Sequence, residues 1–407
     1  MFLDRFSRVS VSTKFVREVD GLRFFAIGSV VLYHLLGIIG VRIYGSWDPA
    51  RFDGVFPLNW VVQGHFGVPL FFAISGFVLA MPFADHHLYG REALPLPKYY
   101  LRRVARLGPP YLINLVFLFV ANAASRHISW NSWPHLVASL CYVHGWVYGT
   151  QSTVNGVAWS LETEVQFYLV APFLCAVFLI ANPWVRRAVI FGAMIVAGVL
   201  VEIYMPKGVD RWNGDVWRMS LLNYLQYFLV GFLLVDVYLC HWRGKSASEL
   251  KILWDLAGIG AWIFLWSNVA SGAVMQVLLP VAMLVAYAAA FRGRWLNAIV
   301  CNRWVFTIGG MCYTIYLWHQ PVLMTWGKIG LPRTWMNGMP MPINVLVQFV
   351  AGFILLLVVG SVLFKYTERP FMKKEWYRIL WPAAAGADKG DFAIAKDSAR
   401  SEKERAG

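Results

Sequence analysis

Ten stretches of the chain stay apolar for about the 17–25 residues needed to cross a hydrocarbon core. They lie near residues 22–40, 60–83, 109–124, 157–181, 187–205, 219–240, 252–270, 274–291, 304–326 and 343–364. A backbone in lipid must satisfy its polar groups within its own segment or in a closed barrel, and runs this long specify helices. The expectation is an all-α, polytopic integral membrane protein with about ten transmembrane helices. Composition agrees: of 407 residues, 58% are hydrophobic and 14% charged, whereas a soluble domain is about a quarter charged. Disordered, collagenous and disulfide-scaffold classes are excluded on the same grounds. The stretch 134–148 is apolar but short, and is read as re-entrant or interfacial.

The net charge of +14 does not imply nucleic acid, because the basic residues are scattered between apolar runs, as expected of loops facing an anionic leaflet of membrane lipids. With the N-terminus inside, 28 of the 36 Lys and Arg fall on the inner side and 8 on the outer. Both termini are therefore expected in the cytoplasm of a multi-pass protein. No A-x-A site follows the first span, which reads as a retained anchor. Residues 1–382 form one expected membrane domain, and 383–407 read as a disordered cytoplasmic tail. The outer segment 125–156, rich in Trp and Tyr, suits the membrane interface or a sugar platform. Cys141, Cys175, Cys240, Cys301 and Cys312 form no CxxC pair, so neither a metal site nor a disulfide framework is expected.

Ionisable groups inside spans are costly and point to function. The first span carries Asp20, Arg23 and His34. Arg23 and His34 return to nearly the same helical face, about 16 Å apart along the axis, and Asp20 can pair with Arg23. Arg103 and Arg106, at i and i+3 before Pro109 and Pro110, share a face on a helix and suit a polyphosphate; an ordinary basic loop would carry them equally well. The prolines fit the first turn of the following span. Glu162 and Glu164 enter a span from its outer end; the helix dipole explains Glu162 better than Glu164. Tyr316, His319 and Gln320 share a face late in the ninth span, where Pro321 can free carbonyls for polar contacts. Glu368 and Arg369 end the last span as a structural pair near the inner headgroups.

At these residues the sequence resembles the membrane-bound acyltransferase-3 family, bacterial O-acyltransferases that modify glycans and other secreted molecules. The likeness rests on Asp20-Gly21-Leu22-Arg23 with His34 eleven residues on, Phe71-Phe72-Ala73-Ile74-Ser75-Gly76-Phe77 and Arg103-x-x-Arg106. Trp159-Ser160-Leu161 with Glu164-x-x-Phe167-Tyr168, Tyr316-Leu317-Trp318-His319 and Glu368-Arg369-Pro370 complete it, in the family's order across residues 17–372.

The resemblance implies an acyl group, usually acetyl, taken from acyl-CoA in the cytoplasm and delivered to a hydroxyl of a carbohydrate or related acceptor at or beyond the bacterial inner (plasma) membrane. No permanently bound cofactor or metal is expected; acyl-CoA is a co-substrate. Family positions matching Arg23, His34, Arg103 and Arg106 are tied to activity. His34 is the expected base, Arg23 stands at the mouth of the path, Asp20 and Glu164 orient, and Glu164 is the better partner for His34. Arg103 and Arg106 bind the CoA phosphates, and Trp159, Tyr316 and His319 contact the acceptor. Some members add a C-terminal esterase-like domain; the short tail here implies its absence, so transfer would finish on the membrane core or on a separate extracytoplasmic partner. The rival class is a non-catalytic transporter or flippase of a glycan or small anion, which would also place Arg, His and Glu in mid-membrane.

Overall fold

The computed structural model describes residues 16–204, 216–244, 250–267, 273–329 and 338–372; the expected tail at 383–407 lies outside them. Every described regular element is helical. Eight helical segments are long and apolar enough to cross a membrane: Arg17–Tyr44, Leu58–Tyr89, Leu96–Ala124, Gly156–Leu179, Pro183–Tyr204, Val216–Trp242, Val274–Arg292 and Met341–Met372. The two further expected spans are also helical. The seventh has 17 described residues, Lys251–Ser267, and the ninth is interrupted.

The principal helices are α1 (Arg17–Tyr44), α2 (Leu58–Val62), α3 (Gly67–Tyr89), α4 (Leu96–Ala124), α5 (Trp133–Leu140), α6 (His144–Tyr148), α7 (Trp159–Leu174) and α8 (Pro183–Tyr204). They continue with α9 (Leu221–Val237), α10 (Lys251–Ser267), α11 (Ala273–Arg292), α12 (Trp295–Val300), α13 (Arg303–Gly310), α14 (Cys312–Ile329) and α15 (Met341–Leu363). The short α5 and α6 occupy the stretch expected to be re-entrant or interfacial.

Two boundaries differ from expectation. α4 begins at Leu96, so the basic run is itself helical, and Pro109 and Pro110 lie inside the helix. Neighbouring helices tolerate interior prolines by using the backbone groups they release. The ninth span divides at Met311 into α13 and α14. α13 lies so close to α1 that a Cβ on Gly309 would collide with the Asp20 carbonyl. In lipid, where helices gain little hydrophobic energy by meeting, small residues permit such close packing. α3 and α9 meet in the same manner through Gly76 and Gly231, whose missing Cβ atoms face each other's backbones.

Buried polar ties fix the remaining elements. The Asp236 carboxylate on α9 holds two arginines of α8, Arg186 at 2.5 Å and Arg187 at 2.6 Å. Asp255 on α10 accepts from the backbone amides of Arg294, Trp295 and Leu296 at 2.9–3.0 Å, capping α12. The Glu368 carboxylate accepts from the amide and hydroxyl of Thr314 at 3.1 and 2.5 Å. That residue anchors the first turn of α14, a more specific structural role than the headgroup pair expected from sequence.

Candidate active site

Five helices line one cavity. α1 contributes Arg23, α4 contributes Arg103 and Arg106, α7 contributes Ser160, Glu164 and Tyr168, and α14 contributes Cys312, Tyr313 and Tyr316. Apolar side chains of α3, from Phe71 to Leu79, form the opposite wall together with Ser75. Eight residues of helix separate Phe71 from Leu79, so this wall extends about 12 Å along the bundle. Arg103 and Tyr168 mark one end, and Ser160, Phe71 and Tyr316 mark the other.

The cavity's charge is predominantly positive. Arg23 is buried and ion-paired with buried Asp20 on the preceding turn. The Glu164 Oε1 atom accepts from the Ser75 hydroxyl at 2.5 Å and the Tyr168 hydroxyl at 2.7 Å. Arg103 lies over the Tyr99 ring, 5.7 Å from its centroid. The Nε atoms of Arg103 and Arg106 are buried without a hydrogen-bond partner among the described residues. Buried donors are normally satisfied, so the two guanidinium groups retain capacity for an anion.

One turn beyond Tyr316 on α14, His319 is fully buried and meets His34 of α1. Their ring centroids are 4.9 Å apart, and His319 Nε2 lies 3.3 Å from His34 Nδ1. His319 Nδ1 lies 2.6 Å from the Tyr316 carbonyl, and His34 Nδ1 lies 2.9 Å from the Val30 carbonyl. Carbonyls only accept, which assigns a hydrogen to each Nδ1. His319 Nε2 then faces the His34 Nδ1–H as an acceptor, and His34 Nε2 keeps a free lone pair. The arrangement leaves a base on His34 with its other nitrogen held by a carbonyl and a second imidazole.

The structure places Arg23, Arg103, Arg106, Glu164 and Tyr316 around one space, with Asp20 paired to Arg23. His34 and His319 form a separate pair that meets the cavity through Tyr316, whose ring is 5.7 Å from that of His319. Glu164 is not the partner of His34: Ser75 and Tyr168 occupy its Oε1, and His319 occupies the position expected for it. Tyr316 points its hydroxyl at the Val157 carbonyl and the Ser160 hydroxyl, the latter at 2.6 Å. Trp159 lies at the start of α7 against the Tyr224 ring, 5.4 Å between centroids, outside the cavity lining. Ser75 and Tyr168 were missed as Glu164 partners. Tyr168 was within reach of the sequence, being i+4 from Glu164 on one helix; Ser75 comes from another helix and was not.

Glu162, in the first turn of α7, ties the segment between α4 and α7 to the bundle by accepting from the Gly145 amide at 2.9 Å. His144 donates from Nδ1 to the Thr150 carbonyl at 3.1 Å, and its Nε2 faces His135 Nδ1 at 2.9 Å. Burial lowers the His144 pKa, consistent with an acceptor role for Nε2. Glu162 therefore does more than cap its own helix.

Over residues 16–365 the sequence matches the acyltransferase-3 family, an acyltransferase domain. Among curated proteins, the peptidoglycan O-acetyltransferase OatA of Listeria monocytogenes is 24% identical over 399 residues, covering 89% of this chain and 56% of its own. The O-acetyltransferase OatA of Staphylococcus aureus is 23% identical over 387 residues, covering 89% and 58%. The chain thus spans less than two thirds of the length of these relatives. No solved structure matches.

Proposed function

The chain belongs to the acyltransferase-3 family, and from that premise and the geometry of the site we propose that it is a membrane O-acetyltransferase acting on a carbohydrate hydroxyl. One observation carries this reading: an arginine-lined cavity lies one helical turn below a pair of imidazoles, His319 fully buried and His34 half-buried. The relatives' names supply the acetyl group and, for the Listeria protein, a peptidoglycan acceptor. The proposed donor is acetyl-CoA from the cytoplasm, and the proposed setting is the bacterial plasma membrane with both termini inside.

In this reading Arg103 and Arg106 bind the phosphates through donors that lack a protein partner, while Arg23, neutralised in part by Asp20, lines the path of the pantetheine arm. Glu164 keeps the cavity from being uniformly cationic and fixes Ser75 and Tyr168. The acetyl carbonyl is presented toward Tyr316 and the two histidines. His34 Nε2 removes the proton from the acceptor hydroxyl as its oxygen forms a bond to the thioester carbonyl carbon. The carbon–sulfur bond then breaks, and the proton passes to the departing sulfur, releasing CoA thiol and the acetyl ester. As His34 becomes an imidazolium, its Nδ1–H bond to neutral His319 strengthens and spreads the charge.

The test uses the full chain in its membrane with radiolabelled acetyl-CoA and cell-envelope glycan fragments. Label should move to the glycan, and His34→Ala should reduce transfer about 10²–10⁴-fold, the usual contribution of general-base assistance, without reducing the amount of inserted protein. Transfer by the unaltered chain with no loss in His34→Ala would remove His34 from the mechanism. Absence of both label transfer and CoA release from the unaltered chain would favour the carrier reading.

A further inference from the structure

The helix that carries His319 contains a carbonyl that it cannot satisfy itself. Within α14 the Leu317 carbonyl would ordinarily accept from the amide four residues later, but that residue is Pro321, which has no N–H. Two buried asparagines from other parts of the bundle take its place. Asn114 of α4 donates from Nδ2 to the Leu317 carbonyl at 3.1 Å, and Asn155, ahead of α7, donates to the same oxygen at 3.3 Å. Asn155 Nδ2 also donates to Asn114 Oδ1 at 2.8 Å, so the two amides and the carbonyl form a closed triangle. Asn114 is fully buried and Asn155 nearly so, at 3% exposure.

One donor would have been enough to relieve an unsatisfied carbonyl. Two donors, from two separate elements and bonded to each other, also fix where that carbonyl lies. The residue they hold is two positions before His319 and adjacent to Tyr316, whose own carbonyl accepts from His319 Nδ1. The same α4 carries Arg103 and Arg106, and the α7 that follows Asn155 carries Glu164. The triangle therefore connects the walls of the cavity to the backbone that aims His319 at His34.

We propose that Asn114 and Asn155 are positioning residues for acyl transfer: by clamping the carbonyl released by Pro321, they set the register of the His319 imidazole against His34. The proposal rests on the acyltransferase reading for its effect on turnover. Its geometric part, the His319–His34 register, is measurable without any activity.

The activity arm compares the full chain in its membrane with Asn114→Ala, Asn155→Ala and the double variant, using radiolabelled acetyl-CoA and glycan fragments. In the double variant, kcat should fall at least about tenfold with the KM for acetyl-CoA within about twofold, the pattern of a loss felt in the transition state alone. Pro321→Ala, added to the double variant, returns a helical donor to Leu317. It should recover thermal stability but not turnover, whereas recovery of turnover would show that the asparagines only satisfy a carbonyl and would overturn the proposal. The second arm places His34→Cys and His319→Cys in one chain and follows oxidant-driven linkage by mass spectrometry of the joined peptides. Linkage should slow at least about fivefold when Asn114 and Asn155 are alanine; an unchanged rate overturns the clamp. Failure of the parent pair to link removes the register on which the proposal depends. If the unaltered chain transfers no acetyl, the acyltransferase reading fails and the linkage rates alone decide the clamp.

Discussion

Arg103 and Arg106 contribute to the site through an unfilled bonding capacity more than through charge alone. Their Nε atoms are buried without partners among the described residues, while Arg23 is already paired with Asp20. A hydrogen bond to a charged group is worth about 1.5–3 kcal/mol, so Arg103→Ala and Arg106→Ala should each weaken acetyl-CoA binding about 10–100-fold. Displacement of labelled CoA from the detergent-solubilised full chain measures this. Glu164→Gln removes a negative charge from the same wall and should not weaken binding; a loss equal to that of the arginines would mean that Glu164 is needed to shape the cavity. The spacing of Asp20 with Arg23, and of Arg103 with Arg106, was legible in the sequence because one helix turn decides it. The contact between His34 and His319 was not. These residues are 285 positions apart, and periodicity does not say which two helices meet.

The elements were legible for a related reason. A span satisfies its own backbone, so hydropathy alone finds it, and each of the ten apolar stretches is mainly helical in its described residues. What hydropathy missed is where a helix extends through polar sequence or breaks within an apolar run. The Arg103–Arg106 stretch suits a loop equally well by composition, yet α4 begins at Leu96 and carries it. Met311 interrupts a run with no charge to signal it, and the close approach at Gly309 fixes α13 against α1. A side chain at Gly309 would collide with the Asp20 backbone, directly behind Arg23. Gly309→Val should therefore destabilise the chain by about 1–3 kcal/mol, the usual range for overpacking, and lower its thermal inactivation temperature in detergent. Gly192→Ala adds a Cβ with no neighbouring atom within 4 Å; it should not lower that temperature and serves as the control.

At the scale of the whole molecule, the positive-inside count gives an orientation that can be checked directly. Arg91, between α3 and α4, and Asn131, between α4 and α5, are both exposed and flank opposite ends of α4. In a chain with exposed Cys141 replaced by Ser, Asn131→Cys should react with a membrane-impermeant maleimide on intact cells. Arg91→Cys should react only after permeabilisation; the reverse pattern would invert the proposed donor side. The orientation matters because the cavity and the imidazole pair lie at different depths along the bundle. Tyr316 borders the first and touches the second, with its hydroxyl tethered to Val157 and Ser160. An open conduit there would dissipate the cell's ion gradients and expose a thioester to hydrolysis. On the proposed reading, the tethered aromatic ring makes that boundary a septum, across which a two-carbon fragment is handed while water and ions stay on their own sides.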